Sequence, residues 1–231
     1  MPIYEREREY IKLLSSKDYT VSELSKILFV SEPTVRRDIR FMKKNELIEC
    51  ERGIVKLKIS SPDKRIPAFI RDFKNKEEKQ KIARKAVTHI KDGMVIMLDA
   101  STTACCIVPL LVDYRNIFVI TSGARTALAL AAAGIRTVCT GGELILESLS
   151  YVGGDAMRTL SGYNADIAFF SCSALSDDGI ASDNSIAENE MRKIMMSRAE
   201  KSFLLCDSGK LGKKDLNILC SVKDIDGAIT D

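Results

Sequence analysis

From residue 76 onward the sequence alternates short apolar segments with longer amphipathic segments, and this alternation restricts the possible folds more than any other feature. The apolar segments have the length of strands and follow turn residues such as Gly93. Buried strands separated by helices form parallel βαβ units, so the pattern predicts a doubly wound α/β sheet. The predicted strands are 94–98, 117–121, 137–140, 167–171, 202–206 and 228–230, and the predicted helices are 76–90, 102–112, 124–133 and 186–199.

Polar residues follow the end of each of the first five predicted strands. Ligands of doubly wound sheets bind at these ends, where hydroxyls and helix N-terminal N–H groups hold anions such as phosphate. Lys210 supplies a positive charge there, and Asp99 can accept hydrogen bonds from sugar hydroxyls. Each segment alone also fits an ordinary helix cap or turn, so the prediction depends on their convergence. The segments are Asp99-Ala100-Ser101-Thr102-Thr103, Thr121-Ser122-Gly123, Thr140-Gly141-Gly142, Ser171-Cys172-Ser173 and Asp207-Ser208-Gly209-Lys210.

Residues 31–45 have the pattern of a short amphipathic helix with a basic outer face. Val35, Ile39 and Met42 form one apolar stripe at about 100° per residue. Ser31 is a suitable N-cap. A basic face is also common on helices that only meet solvent, so its interpretation depends on the neighbouring segments. The basic side chains opposite the stripe are Arg36, Arg37, Arg40 and Lys44.

The segments before this helix favour a DNA-binding unit. Residues 5–15 form a predicted first helix, and Thr20 with Glu23 makes a T-x-x-E capping box that opens a second one. Only a short turn separates that helix from the basic helix. Two helices joined in this way form a helix-turn-helix, whose second helix enters the major groove of DNA.

The segments after the basic helix predict a wing. Residues 47–50 and 54–58 alternate in polarity on either side of a turn that carries Arg52, which is suited to meet a backbone phosphate or simply to face solvent. Residues 1–61 hold 13 Lys and Arg against 10 Asp and Glu, whereas the remaining residues hold 22 of each. All excess positive charge therefore lies in the part that would meet phosphates.

Three parts are predicted along the chain. Residues 1–58 form a winged helix-turn-helix DNA-binding domain, and residues 76–231 form an α/β effector-sensing domain. Residues 59–75 are polar and basic and contain Pro62 and Pro67, so we expect a linker there.

Cysteine and histidine usage argues against a metal site. The seven cysteines show no CxxC spacing, and the single histidine, His89, lies in a predicted amphipathic helix where we expect no chemistry. We therefore expect no metal and no cofactor, and reduced thiols in a cytoplasm. The sequence has no signal peptide and no apolar run long enough to span a membrane, which also predicts a cytoplasmic protein.

The segment TVSELSKILFVSEPTVRRDIRFMKKNELIECERG resembles the DNA-binding segment of DeoR-type bacterial regulators. The matching pattern is L-S, V-S-x-x-T-[VI]-R-R-D-[IL], which falls on Leu24-Ser25, Val30-Ser31 and 34–39. The family tends to have a His-Gly-Gly-like wing tip, where this chain has Glu51-Arg52-Gly53. The resemblance implies double-stranded operator DNA as a partner. The expected DNA-binding residues are Ser31, Thr34, Arg36, Arg37, Arg40, Lys44 and Arg52.

The C-terminal segments LDASTT, VITSGA, TGGEL, SYVGGDA, DNSIAENEMRKIMM and LLCDSGKLG resemble the sensor domain of the same family. That resemblance implies a Rossmann-like, mostly parallel sheet related to ribose-5-phosphate isomerase, and a phosphorylated sugar or related metabolite as effector. Ser101 stands where the family usually has Gly, and Ser122 where it often has Asn, so the effector could differ. Members commonly continue beyond the final Asp231, so the chain is either short or truncated. The expected effector-binding residues are Asp99, Ser101, Thr102, Thr103, Thr121, Ser122, Gly142, Gly153 and Lys210.

Functions of different classes follow from these observations. We expect a non-enzymatic repressor of sugar-metabolism genes, acting as a homodimer or homotetramer without membrane contact and released from its operator by the effector. The alternative is a sugar-phosphate isomerase-like enzyme with an appended helix-turn-helix. In related isomerases a glutamate in an E-K-I-like helix segment is the base, but Arg192 stands at the comparable place, and Glu188 and Glu190 are expected to be solvated. An activator, or a sensor that has lost its ligand, is a third alternative.

Overall fold

The computed structural model describes residues 3–44, 47–58 and 68–231. The chain divides into two compact units, Met1–Lys74 and Asn75–Asp231. Each unit has its own hydrophobic clusters. Within the described ranges, no helix is both long and apolar enough to cross a membrane.

The first unit is the predicted winged helix-turn-helix. Tyr10, Leu24, Val35 and Met42 are fully buried in one cluster that joins its helices. The fold class expected for this part is therefore confirmed. Its elements are helix α1 (Ile3–Leu14), strand β1 (Tyr19–Thr20), helices α2 (Val21–Ile27) and α3 (Glu32–Lys44), strands β2 (Ile48–Glu51) and β3 (Ile54–Leu57), and helix α4 (Ala68–Arg71).

Strand β1 adds an unpredicted third strand to the wing. Tyr19 pairs with Val55 in an antiparallel register, next to the predicted hairpin of β2 and β3. Thr20 also caps α2 as predicted, because its backbone N–H donates to Glu23 Oε2 at 2.7 Å and its hydroxyl accepts from the Glu23 N–H at 3.2 Å. A two-residue strand is too short to show a periodic pattern in sequence.

Part of the segment predicted as a linker is folded into the first unit. Residues 59–67 lie outside the described residues. Helix α4 follows, and Ile70 and Phe73 pack on the core of the first unit. Asn75, the last residue of the predicted linker, is the N-cap of the next helix. A single helical turn is too short to show amphipathic periodicity, so composition alone suggested a linker there.

The second unit contains more elements than the sequence pattern predicted. In chain order they are helix α5 (Lys76–Ala86), strand β4 (Val95–Leu98), helix α6 (Thr102–Cys105), strand β5 (Phe118–Thr121), helix α7 (Ala124–Ala132), strands β6 (Thr137–Cys139), β7 (Glu143–Ile145) and β8 (Ser150–Val152), helix α8 (Gly153–Ser161), strands β9 (Ala165–Ser171), β10 (Ala174–Leu175) and β11 (Ile180–Asp183), helix α9 (Ile186–Arg198), and strands β12 (Ala199–Leu205), β13 (Asn217–Ser221) and β14 (Gly227–Ile229).

The centre of the second unit is a six-stranded sheet with the order β14-β12-β9-β4-β5-β6. Every pairing within it is parallel. The chain builds the sheet outward from β4 to β6 and then returns to place β9 on the other side of β4. The predicted doubly wound topology is therefore confirmed, and the strand order reverses between β4 and β9.

Alternate residues of the strands serve two cores on opposite faces of this sheet. Ile96 and Leu98 of β4 belong to the cluster that includes α5 and α7, whereas Met97 belongs to the cluster that includes α8 and α9. Each β4 side chain of this run is fully buried. Burial on both faces explains why the predicted strands are continuously apolar rather than alternating.

The second unit also departs from the predicted elements at several points. The predicted helix 102–112 ends at Cys105, and Pro109 lies in the 3₁₀ helix Val108–Asp113 that follows. The β7–β8 hairpin, helix α8 and the small sheet of β10, β11 and β13 were not predicted. These strands contain only two to five residues, so they carry too few residues for a periodic signal.

Candidate functional site

Helix α3 packs against the core through the stripe predicted from sequence. Val35 and Met42 are fully buried and Ile39 is nearly so. The Ser31 hydroxyl accepts a long hydrogen bond from the Thr34 N–H, and the two hydroxyls lie 2.9 Å apart, so the predicted N-cap is present. The helix is therefore fixed along one side and free along the other.

A buried ion pair fixes the same side of α3, and sequence reasoning missed it. Asp38 accepts hydrogen bonds from Arg6 Nε at 2.8 Å and Arg6 Nη2 at 3.0 Å. The Tyr10 hydroxyl donates to Asp38 Oδ2 at 3.4 Å. The hydrogen bond to Asp38 raises the pKa of Arg6. Thirty-two positions separate the two partners, so no local pattern could have revealed the pair.

The basic face of α3 is solvent-exposed. We define it as Arg36, Arg37 and Arg40, whose side chains are all exposed. Arg36 lies 3.5 Å from Glu32 one turn earlier, a surface pair that contributes little to stability. The side chain of Lys44, also expected to contact DNA, lies outside the described residues. An anchored helix with three exposed arginines has the form that the major groove admits.

The wing places its predicted basic residue at the tip of a two-residue turn. Glu51 pairs with Ile54, so Arg52 and Gly53 form the turn, with φ values of 49° and 81°. Positive φ at both central positions suits the right-handed twist of a hairpin. Arg52 is exposed. Its predicted phosphate contact stays a prediction.

The reversal of strand order in the second unit creates a second candidate site. In doubly wound sheets a ligand crevice forms outside the carboxyl ends of the two strands that flank such a reversal. Here those strands are β4 and β9. We use the name switch-point crevice for the segments that follow them, 99–103 and 171–173, together with Lys210.

Both carboxylate oxygens of Asp99, which the sequence predicted to contact a sugar, are engaged within the protein. Its Oδ1 accepts from the Ser101 N–H at 3.0 Å, and its Oδ2 accepts from the Ser171 N–H and Arg192 Nε, each at 3.1 Å. The residue is 2% exposed. Asp99 therefore links the two flanking segments, and its predicted contact with a sugar hydroxyl stays a prediction.

Arg192 forms the centre of a buried charge cluster that the sequence did not reveal. Besides Asp99, it donates from Nη1 to Asp183 Oδ2 at 3.0 Å and to Asn189 Oδ1 at 3.1 Å. Burial would lower the pKa of Arg192, but Asp183 and Asp99 outweigh it and raise that pKa. Glu188, expected to be solvated, is also buried. The expectation for Glu188 was wrong because α9 packs against the sheet with that side inward.

Lys210 reaches the crevice from the segment after β12. Its Nζ donates to Ser171 Oγ at 2.9 Å and lies 3.5 Å from Asp207 Oδ2. The other Asp207 oxygen accepts from Asn75 Nδ2 at 2.6 Å. The Lys210 side chain is 22% exposed, so these contacts hold it in place at the crevice while part of the side chain meets solvent. A partly exposed lysine fixed at a switch point is suited to bind an anion.

The predicted hydroxyls lie at the same edge of the sheet. Ser101 caps α6, accepting from the Ala104 N–H at 3.1 Å, and Thr102 and Thr103 form its first turn. On the neighbouring strand, the Thr121 hydroxyl accepts from the Gly123 N–H at 3.0 Å, and the Ser122 carbonyl accepts from the Tyr151 N–H at 2.7 Å. All five side chains bearing these hydroxyls are buried: Ser101, Thr102, Thr103, Thr121 and Ser122.

The two predicted glycines serve close packing and chain reversal. A Cβ on Gly142 would lie 2.6 Å from the Val152 carbonyl oxygen and 3.0 Å from Ala156 Cβ. Gly153 begins α8 with a φ of 86°. Both positions favour glycine for reasons within the protein. Their predicted contact with an effector stays a prediction.

The fold and the two sites define a class of protein. A winged helix-turn-helix with an exposed basic face, joined to a doubly wound domain with a polar switch-point crevice, is the architecture of a DNA-binding transcriptional regulator. Residues 74–231 match the family described as DeoR C terminal sensor domain, and residues 8–49 match the bacterial regulatory protein, arsR family. The chain belongs to the DeoR family of transcriptional regulators.

Proteins named as transcriptional regulators align with this chain over nearly their whole length. The uncharacterized HTH-type transcriptional regulator YulB of Bacillus subtilis is 32% identical, with 100% of this chain and 90% of that protein covered. HTH-type transcriptional regulator GolR of Listeria innocua is 32% identical over 99% of this chain and 90% of its own. The Glycerol-3-phosphate regulon repressor of Escherichia coli is 25% identical over 98% and 90%.

Solved structures resemble the chain in fold. The delta subunit of eIF2B from Chaetomium thermophilum has a TM-score of 0.52 and 17% identity, covering 67% of this chain and 56% of that one. Ribose 5-phosphate isomerase A of Methanocaldococcus jannaschii has a TM-score of 0.45 and 23% identity, covering 59% and 55%.

Proposed function

We propose that this regulator is a repressor that binds operator DNA through α3 and the wing and is released by a phosphorylated sugar bound at the switch-point crevice. The observation that carries the proposal is the Lys210 ammonium group, held 2.9 Å from Ser171 Oγ where the strand order reverses. The E. coli relative named for glycerol-3-phosphate supports the phosphate class of effector.

The DNA contacts in this proposal are those of the basic face, together with Ser31, Thr34, Lys44 and Arg52. Each contact to a phosphate releases counterions, so affinity for a duplex must fall steeply with salt. We expect Arg36→Ala to weaken binding and to flatten the salt dependence, because one cation leaves the interface. Lys12→Ala is the matched control, since Lys12 is an exposed cation on α1, outside the basic face.

The measurement is fluorescence anisotropy with a duplex from the promoter upstream of the gene, at several salt concentrations. Arg36→Ala must lose affinity while Lys12→Ala retains it. Equal affinity of both variants and the parent would overturn the assignment of α3 as the DNA-reading helix.

If Lys210 contacts the effector, a sugar phosphate should raise the melting temperature only while the lysine charge is present. A ligand that binds only the folded state raises the melting temperature with its concentration. We expect some member of a panel of sugar phosphates to stabilise the second unit, and Lys210→Ala to abolish that shift. Lys214→Ala removes an exposed lysine four residues away and serves as the control. No stabilisation by any phosphate would overturn the sensor assignment.

We expect the crevice to bind a sugar phosphate without isomerising it, because its carboxylates are engaged by other side chains. Isomerisation requires a general base beside the sugar. Asp99 and Asp183 are both engaged by Arg192, and Asp207 by Asn75 and Lys210. Isomerase assays with pentose and hexose phosphates should therefore show no activity. Turnover that disappears in Glu190→Gln would contradict this.

Assembly and release complete the proposal. A helix-turn-helix reads one half-site, so operator affinity requires a homodimer or homotetramer. Release requires that the effector bind the DNA-incompetent arrangement more tightly than the competent one. Such a protein acts in the cytoplasm, where its DNA and sugar phosphates are found. Sedimentation with and without duplex tests the assembly, and a monomer on DNA would contradict it.

A further inference from the structure

Three buried hydroxyls in the second unit have no hydrogen-bond partner among the described residues. They are Thr126 Oγ1, Thr140 Oγ1 and Ser148 Oγ. The three residues are 1%, 5% and 3% exposed. Buried polar groups are normally bonded, so an unbonded group is costly and calls for an explanation.

All three residues border one short segment, residues 121–124. A Cβ on Gly123 would be 2.8 Å from Thr126 Oγ1. The Thr140 N–H donates to the Thr121 carbonyl at 3.0 Å, and the Ala124 N–H donates to the carbonyl of Leu149, which follows Ser148, at 2.9 Å. The three residues that carry the orphaned hydroxyls therefore border one location.

That location is the N-terminus of α7, a helix of nine residues. Its N-cap is Gly123, which has no side chain to cap the first turn. The N–H groups of a first helical turn lack intrahelical acceptors and carry partial positive charge. The Gly123 and Ala124 N–H groups already donate to the Thr121 hydroxyl and the Leu149 carbonyl, so the donors to consider are the rest of the first turn and the three unbonded hydroxyls. The group that satisfies donors at a helix N-terminus is rich in acceptors and negatively charged.

This location adjoins the switch-point crevice. A Cβ on Gly123 would be 2.9 Å from Ala100 Cα, in the segment that follows β4. Leu98 and Thr121 pair in the register of β4 with β5, and neighbouring strands lie about 4.8 Å apart. A ligand held by Lys210 can therefore extend across β4 toward β5.

We propose that the hydroxyls of Thr126, Thr140 and Ser148 and the N-terminus of α7 form a second anchor, which binds a second negatively charged group of the effector. The effector class is then a sugar phosphate that also carries a carboxylate or a second phosphate. This inference rests on the proposed sensor function. The three residues are buried, so filling the anchor requires the chain around them to open.

The anchor predicts opposite effects of hydroxyl removal on stability and on binding. Thr126→Val and Ser148→Ala each remove an unbonded buried hydroxyl, so the ligand-free protein melts at the same or a higher temperature. The same variants lose about tenfold or more in affinity for a doubly charged ligand, because a hydrogen bond to a charged group is lost. Thr121→Val is the stability reference, since its hydroxyl accepts from the Gly123 N–H and its removal lowers the melting temperature.

The experiment is calorimetric titration of the full chain with fructose 6-phosphate, 6-phosphogluconate and fructose 1,6-bisphosphate. We expect one or both doubly charged ligands to bind more tightly than the monophosphate. Thr126→Val should remove that advantage and leave monophosphate affinity unchanged, while Lys210→Ala weakens every ligand. A comparison of 6-phosphogluconate with fructose 1,6-bisphosphate identifies whether the second anchor binds a carboxylate or a phosphate.

Three outcomes would overturn the anchor. If Thr126→Val and Ser148→Ala lower the melting temperature as Thr121→Val does, the hydroxyls are bonded within the folded protein. If the monophosphate binds as tightly as both doubly charged ligands, the second anchor is contradicted and the proposed sensor function is not. If no phosphate binds the parent protein, the sensor function falls and the anchor falls with it.

Discussion

The two units each bury an arginine against carboxylates, but the balance of charge differs. In the first unit Arg6 meets one carboxylate, Asp38, in a two-point contact. In the second unit Arg192 meets two, Asp99 and Asp183. The first pair is neutral, whereas the second cluster keeps an excess negative charge beside a crevice that also holds Lys210.

This difference suits the two tasks that we assign to the units. The Arg6–Asp38 pair joins α1 to α3 on the side opposite the basic face. It therefore holds α3 in place while the basic face stays exposed to DNA. The Arg192 cluster joins segments from β4, β9 and β11, all at the carboxyl edge of the sheet or beside it. A ligand shifts those segments only if it binds one arrangement of them more tightly than another.

The largest expected effect is that of Arg192→Leu. It leaves Asp99 and Asp183 buried without a cation, and breaking a buried pair in this way destabilises by about 3–5 kcal/mol. Chemical denaturation followed by circular dichroism should show this loss in the second unit. Lys193→Leu, at the exposed neighbouring position, should change stability far less. Equal effects at both positions would mean that the cluster contributes nothing.

A smaller loss is expected from Asp38→Asn in the first unit. The amide keeps the shape but removes the charge opposite Arg6, whose side chain is 10% exposed and so stays partly hydrated. We expect a loss of about 1–3 kcal/mol together with weaker DNA binding, because α3 loses its anchor. Melting and anisotropy on one preparation check this. Loss of DNA affinity with unchanged melting would instead place Asp38 at the DNA surface.

The sequence predicted the elements that depend on local pattern. The apolar strands, the Thr20–Glu23 capping box and the stripe of α3 are all set by residues a few positions apart. The Arg192 cluster was not predictable, since Asp99 lies 93 positions away and only the sheet brings the two together. The β7–β8 hairpin was also not predictable from sequence, because each strand has only three residues.

A further prediction concerns how the stability contributed by the Arg192 cluster depends on pH. Burial alone would raise the pKa of Asp183, but the Arg192 charge and the hydrogen bonds from Ser185, Ser173 and Arg192 together outweigh it, and the pKa lies below the ordinary 3.8. The stabilisation is therefore present above about pH 4 and is lost as the pH falls through the folded-state value. Melting curves of the parent and Arg192→Leu between pH 7 and pH 3 should converge in acid. Parallel curves would contradict the assignment.

The smallest expected effect concerns the turn before α3. Phe29 is 94% exposed and has a φ of 53°, a conformation that strains any residue with a Cβ. Phe29→Gly should stabilise the first unit by up to about 1 kcal/mol, because glycine relieves this strain. Melting of the first unit measures the change. Destabilisation would show that the exposed ring makes a contact that outweighs the strain.

The central claim is that occupancy of the switch-point crevice decides whether α3 stays on DNA. The direct test is duplex affinity by anisotropy, with and without a saturating sugar phosphate, for the parent protein and Lys210→Ala. We predict that the ligand weakens DNA binding by the parent and leaves Lys210→Ala unaffected. By reciprocity, DNA must weaken ligand binding by the same factor. A ligand that binds the parent without changing its DNA affinity would contradict the account.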